Sequence, residues 1–237
     1  MKSTSLLLML FASLLCLSQT VFADSTIQAT GLSLGDLTFD DCPTNVLQIS
    51  SLSITKSLPQ KLPETVQQTL EKSDAIILLS PFHKSQLNAQ LNHLKKQLNS
   101  HWQNKFSRPA HQRISALLWK TSKFDAVGSF NQAASHQPPL WVILGQGKGM
   151  SMALVTTITP HDPKQALSRQ PTLITRKQVI FAGQLSKQDK LPNGYQIQQG
   201  DMYQTLASRG FKVCASGRQS ISHSNSLLWV KLSGLTL

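Results

Sequence analysis

The chain has 237 residues and a formal charge of +12, from 23 Lys and Arg against 11 Asp and Glu. Its length allows one sizeable core or two small lobes, and the charge favours anionic partners: phospholipid head groups, lipopolysaccharide, acidic glycans or nucleic acid. The basic residues are dispersed rather than gathered into a tail, no repeat or low-complexity tract occurs, and no segment beyond the N-terminus approaches the ~20 apolar residues of a transmembrane helix.

Residues 1–23 read as a secretory signal peptide. Met1 to Ser5 carries a single charge on Lys2, an apolar run follows from Leu6 to Leu17, and Val21 and Ala23 mark cleavage before Asp24. Leu15 stands where lipidation of Cys16 would need a small residue. Cleavage removes one charge, Lys2, leaving 22 basic and 11 acidic residues, or +11. The mature chain is expected in the periplasm or secreted, with residues 24–237 as a single domain.

Residues 24–44 form an extended lead-in, and Val46 to Ile54 alternates as a strand. Pro59 and Pro63 bracket a turn, and Pro63-Glu64-Thr65 opens a helix over 64–73. Ala75 to Leu79 is a short apolar run before Pro81, the pattern of a buried strand. Over 84–104, Leu87, Leu91, Leu94, Leu98 and Trp102 draw one apolar stripe, which predicts an amphipathic helix docked on a core. Further helices are expected over 110–120 and 123–134, giving a helical middle section of about 84–134 that ends at Pro138-Pro139. Leu140 to Leu144 and Ser151 to Thr159 read as strands joined by a hairpin loop, Gly145 to Gly149. Val179 to Phe181 is a short strand, a helix is expected over 201–209, and strands over 211–214 and 227–232 close the chain. The mixture predicts an α/β or α+β fold, a mixed β-sheet with flanking helices.

Two cysteines survive processing, Cys42 and Cys214. In an oxidising compartment a pair placed this way favours a disulfide over two separate buried thiols. Closing so long a loop would stabilise by about 4–5 kcal/mol in the chain-entropy model.

Motifs for known chemistry are absent. Gly145-Gln146-Gly147-Lys148-Gly149 lacks the spacing of a phosphate loop, which needs successive amides to wrap the phosphates. No Gly-x-Ser-x-Gly elbow is present. His83, His93, His101, His111, His136, His161 and His223 include no metal-binding pair at helical spacing; His93 and His101 read as polar surface. Asp40 and Asp41 are adjacent and point apart on an extended chain, so they make no carboxylate pair. Base-stacking aromatics within basic stretches are missing, with two tyrosines in the whole chain, so nucleic acid is not an expected partner.

Two stretches resemble the TraB/GumN family, exported or membrane-linked proteins that include proposed metal-dependent proteases. The first runs from Leu47 to Pro81: a strand with Ser50-Ser51-Leu52-Ser53, the helix from Pro63-Glu64, and the strand Ala75 to Leu79. The second is Val179 to Leu185 followed by Gly200 to Val213, which is similar to the family's second glycine–histidine strand and closing helix. The resemblance implies a TraB/GumN-like fold. It also implies that the family's metal site is lost: Ser53 stands for the first histidine, Leu79 (or Leu78) for the glutamate and Gln184 for the second histidine. Serine, leucine and glutamine cannot hold a transition metal. The resemblance therefore implies no catalytic residue, no metal, no cofactor, and a non-catalytic binding or accessory role, that of a pseudoenzyme. Two alternatives stand beside it. One is a metal-dependent hydrolase or protease with a rearranged site, drawing on His83 or His161. The other is a basic envelope protein whose partners are anionic lipid or glycan.

Overall fold

The computed structural model describes residues 46–107, 114–131, 140–146, 150–157, 178–185, 191–200 and 204–234. Strand β1 (Leu47–Ile54) is buried along its whole length. Its residues are divided by the strand's period of two. Leu47 and Ile49 enter one apolar cluster, and Leu52 and Ile54 enter another on the opposite face. β1 is therefore a middle layer, covered on both sides.

Two six-stranded sheets are built around such strands. Sheet one runs β11 (Lys212–Ser222), β12 (Asn225–Ser233), β1, β2 (Ala75–Ser80), β4 (Ile114–Lys120), β3 (Trp102–Phe106). Sheet two runs β5 (Asp125–Asn131), β6 (Leu140–Gln146), β7 (Met150–Thr157), β8 (Gln178–Gln184), β10 (Gln204–Arg209), β9 (Gln196–Gln199). β1 pairs with β2 in parallel, and β7 with β8; the other pairings are antiparallel. Each sheet thus has a central parallel pair flanked by antiparallel neighbours. The sheets face one another across a cluster to which sheet one gives Leu47, Ile77, Leu117 and Val230, and sheet two gives Val142, Leu154, Ile180 and Leu206.

Parallel pairing of β1 and β2 demands a crossover, and α1 (Glu64–Lys72) supplies it. Glu64 in its first turn and Lys72 in its last complement the helix dipole. α2 (Lys84–Gln97) lies on the same outer face of sheet one and buries Leu87, Leu91 and Leu94. With Val66 and Leu70 of α1, these leucines cover Leu52, Ile76, Leu78 and Leu118. Full burial of one such side chain is worth about 1.5–3 kcal/mol.

The mixed-sheet architecture with flanking helices is present, and several expected elements differ. Beyond α2 the regular elements described in the middle section are strands: the stripe of 84–104 divides into α2 and edge strand β3, while β4 and β5 occupy the described parts of the stretches read as helices over 110–120 and 123–134. Ile114, Leu117 and Leu118 have helical spacing by coincidence. β4 is buried on both faces, so its apolar residues run almost continuously and mask the period of two. Likewise β10 takes up 204–209 of the helix expected over 201–209, whose first three residues lie outside the described ones, because pairing with β8 and β9 outweighs the helix preference of Leu206 and Ala207. Among the described residues no helix is long and apolar enough to cross a membrane. Residues 1–23, Cys42 and the loop 147–149 lie outside the described residues; β6 and β7 do pair as a hairpin across that loop. Cys214 is buried and forms no disulfide among the described residues; Cys42, its expected partner, lies outside them.

One close approach fixes the outer face of β11. A Cβ on Gly217 would lie 2.6 Å from Cζ2 of Trp229, its partner across the ladder. Gly217→Ala is expected to cost about 1–3 kcal/mol, read as a lower urea midpoint. Gly128→Ala, whose Cβ would meet nothing nearer than Ile143 Cδ1 at 3.9 Å, should change stability by less than about 0.5 kcal/mol.

Candidate functional site

In sheets with parallel strands, ligands bind beyond the carboxyl ends of those strands, where side chains from several strands converge. Here two such ends coincide. β10 runs antiparallel to β8, so Gln204 at its start is paired with Gln184 at the end of β8. Gln204 then crosses the gap between the sheets: its Nε2 donates to the Ser51 carbonyl at 2.6 Å and to Ser51 Oγ at 3.1 Å. Ser226 Oγ donates to Gln204 Oε1 at 3.0 Å. The ends of β1 and β8 and the starts of β10 and β12 are thereby tied together.

The period of two places a row of small polar residues on this end of sheet one. Ser226 pairs with Ser53, Ser53 with Leu79, and Leu79 with Ser115. These residues share the face that holds Ile49, Ile77, Leu117 and Leu228, which is the face towards sheet two. Ser53 and Ser115 are 2% and 1% exposed. The Ser115 hydroxyl is buried without a partner among the described residues. Asn225 closes the next turn: its Oδ1 accepts from the backbone of Thr55 at 2.9 Å and Lys56 at 3.1 Å.

Every side chain in this set is a hydroxyl, a carboxamide or an alkyl group. Such groups donate and accept hydrogen bonds but exchange no proton near neutral pH. Among the described residues no group of His, Cys, Asp or Glu could hold a metal ion. The buried carboxylate, Asp74, lies at the far end of β2, where Oδ2 accepts from the Gln48 backbone at 2.8 Å and Oδ1 pairs with Lys123 at 2.8 Å. His93 is bound into the α2 surface, 2.9 Å from the Pro59 carbonyl and 2.8 Å from Gln97 Nε2. His83, His101 and His223 are exposed. His111, His136, His161, Asp40 and Asp41 lie outside the described residues. Two lysines are perturbed: burial lowers the pKa of Lys95, and burial lowers that of Lys120 against the opposing pull of Asp74 and Glu71.

The three positions singled out in the sequence thus lie at one end of the sandwich: Ser53 and Leu79 are ladder neighbours, and Gln184 lies on sheet two's side of the gap beside Gln204. Gln204, Ser51, Ser226 and Ser115 were not distinguishable in the sequence. The available signal was a polar residue recurring at the end of an apolar strand.

No protein-family model and no curated protein matches the chain. Solved structures do. A protein of Bacteroides vulgatus described as an endonuclease/exonuclease/phosphatase superposes with a TM-score of 0.60 at 10% identity, over 80% of this chain and 99% of that one. The catalytic domain of human Nocturnin gives 0.56 at 11% identity, over 79% and 93%. Truncated Caenorhabditis elegans TDP2 gives 0.52 at 12% identity, over 78% and 97%. At these identities the likeness establishes the fold: it is that of the endonuclease/exonuclease/phosphatase proteins.

That finding overturns the TraB/GumN resemblance. The strand–helix–strand unit from Leu47 to Pro81 is a βαβ crossover, a unit common to many folds, and it carried the resemblance without being specific to it. The reading of Ser53, Leu79 and Gln184 as lost TraB/GumN ligands, and of the chain as a pseudoenzyme or accessory protein of that family, falls with it.

Gln204→Leu removes the bridge and leaves the Ser226 hydroxyl and the Ser51 side chain without their partner. It is expected to destabilise by about 1–3 kcal/mol, measured by urea unfolding, with Ser51→Ala costing less because the Ser51 carbonyl is retained as acceptor.

Proposed function

We propose that this chain is an exported protein that binds phosphate esters at the end of the sandwich formed by Ser53, Gln184, Gln204 and Ser226. The observation that carries this reading is the meeting, at the carboxyl ends of both parallel pairs, of hydrogen-bonding side chains from the two sheets. The fold it shares with proteins described as endonuclease/exonuclease/phosphatase supports phosphate esters as the ligand class. Charge supports it as well: the chain after cleavage carries 22 basic and 11 acidic residues, or +11, which draws anions towards the protein. Hydroxyl and amide N–H donors bind an anionic oxygen without the desolvation cost of burying a cation beside it. The signal segment, Leu6 to Ala23, supports export.

Titration calorimetry with p-nitrophenyl phosphate tests the site. The mature protein is expected to bind, and Gln184→Ala to weaken binding about tenfold, the loss of one hydrogen bond to a charged group, with an unchanged urea midpoint. Absence of binding, or equal affinity in the variant, rejects the reading. Release of p-nitrophenol with an added divalent cation, lost in Gln184→Ala, would replace binding by hydrolysis at the same end. For export, N-terminal sequencing of the protein from its native host should begin at Asp24.

A further inference from the structure

Strand β3 is an edge of sheet one and pairs, among the described strands, with β4 alone. Its side chains at 102, 104 and 106 belong to the helix-covered face, and each is matched to a lysine. Lys120 Nζ lies 5.5 Å from the Trp102 ring centre. Lys95 Nζ donates to Asn104 Oδ1 at 2.6 Å. Lys84 Nζ lies 5.9 Å from the Phe106 ring centre. The three cations come from two elements: Lys120 ends β4, and Lys84 and Lys95 share one face of α2, about three turns apart. Alternate residues of a strand repeat at roughly 6.7 Å, so these lysines form a row one strand wide. Lys105, on the opposite face of β3, is exposed and adds a fourth cation to the edge.

Among the described residues counter-charge is confined to one end, where Asp74 and Glu71 act on Lys120. Lys120 donates to the Glu71 carbonyl, and Lys123 is already paired with Asp74. At the Asn104–Phe106 end, Lys84, Lys95 and Lys105 have no carboxylate partner among the described residues. Burial disfavours the charged forms of Lys95 and Lys120, so an arriving anion would relieve a cost already present in the fold.

We propose that the β3 edge is a docking strip for an extended, linear phosphodiester polymer, separate from the sandwich end. A single row of ammonium groups suits a chain of phosphates laid along it, since lysine acts as a point charge and needs no fixed approach angle. It does not suit a membrane, because Trp102 is buried and Phe106 half-buried, leaving no apolar anchor among the described residues of this edge to enter a bilayer surface. Trp102 is also too enclosed to stack a base, so recognition is of the backbone and independent of sequence.

The test is fluorescence anisotropy of the mature chain with a short labelled oligothymidylate over a series of salt concentrations. Log affinity should fall linearly with log salt, by about 0.7 per phosphate contact. Lys84→Ala/Lys105→Ala is expected to bind about tenfold more weakly with a slope shallower by about 1.4. Lys56→Ala/Lys61→Ala, in the exposed loop after β1, should match the wild type. Unchanged affinity in the edge variant, or an equal loss in both variants, overturns the strip in favour of diffuse charge. Failure to bind the oligomer while binding phosphatidylglycerol vesicles through Lys84 and Lys105 overturns it in favour of a membrane contact. Gln184→Ala separates the two proposals: it should leave oligomer binding intact even where p-nitrophenyl phosphate binding is lost.

Discussion

The packing of two sheets face to face is the contact on which the other features of this protein depend. Sheet one is centred on a parallel pair that has no exposed face, so it needs sheet two on one side and the helices on the other. Removing either cover would return a row of Leu, Ile and Val to water at about 25 cal/mol per Å². The same requirement explains why α1 and α2 lie side by side on sheet one: β1, β2 and β4 present Leu52, Ile76, Leu78 and Leu118 there, and the leucines of α2 fill that surface.

An apolar seam of this kind ends where the strands end, and backbone and side chains then need hydrogen-bond partners. At the carboxyl ends of the parallel pairs the solution is an amide. Gln204 uses both its donor and its acceptor across the gap, holding β1 and β12 against β10. At the other end Asp74 ties β2 to β1 through the Gln48 backbone and draws in Lys123. Among the described residues the two ends therefore differ in character: one carries the hydroxyls of Ser53 and Ser115 and the Gln204 amide, and the other is charged and internally compensated. The proposed ligand site lies at the first of these ends, where no ion pair occurs among the described residues.

The elements that were readable before the structure are those whose pattern is local. β1, α1, β2 and the start of α2 follow from alternation, from Pro63-Glu64, and from the stripe Leu87, Leu91, Leu94. The stripe continued to Trp102 in sequence but not in space: α2 stops at Gln97, and Trp102 reaches the same apolar cluster from an edge strand. In β4 and β10, burial or pairing on every side removed the alternation that marks a strand, and helix-favouring residues such as Ala116, Leu117 and Ala207 filled the positions. The family resemblance failed for a related reason. It rested on a βαβ unit, and the physics of a crossover imposes the same strand–helix–strand order on unrelated folds.

The sequence by itself determined the charge, the candidate signal segment, the absence of known catalytic motifs, and the strands and helices whose period is visible within a dozen or so residues. Only the tertiary structure decided that Ser53, Gln184, Gln204 and Ser226 meet, that Lys84, Lys95 and Lys120 line one edge, and that the fold is that of the endonuclease/exonuclease/phosphatase proteins. The physical reason is that strand pairing is non-local. Ser51 and Gln204 lie 153 residues apart and are brought within 2.6 Å, and no pattern confined to either segment records which strand will be its neighbour.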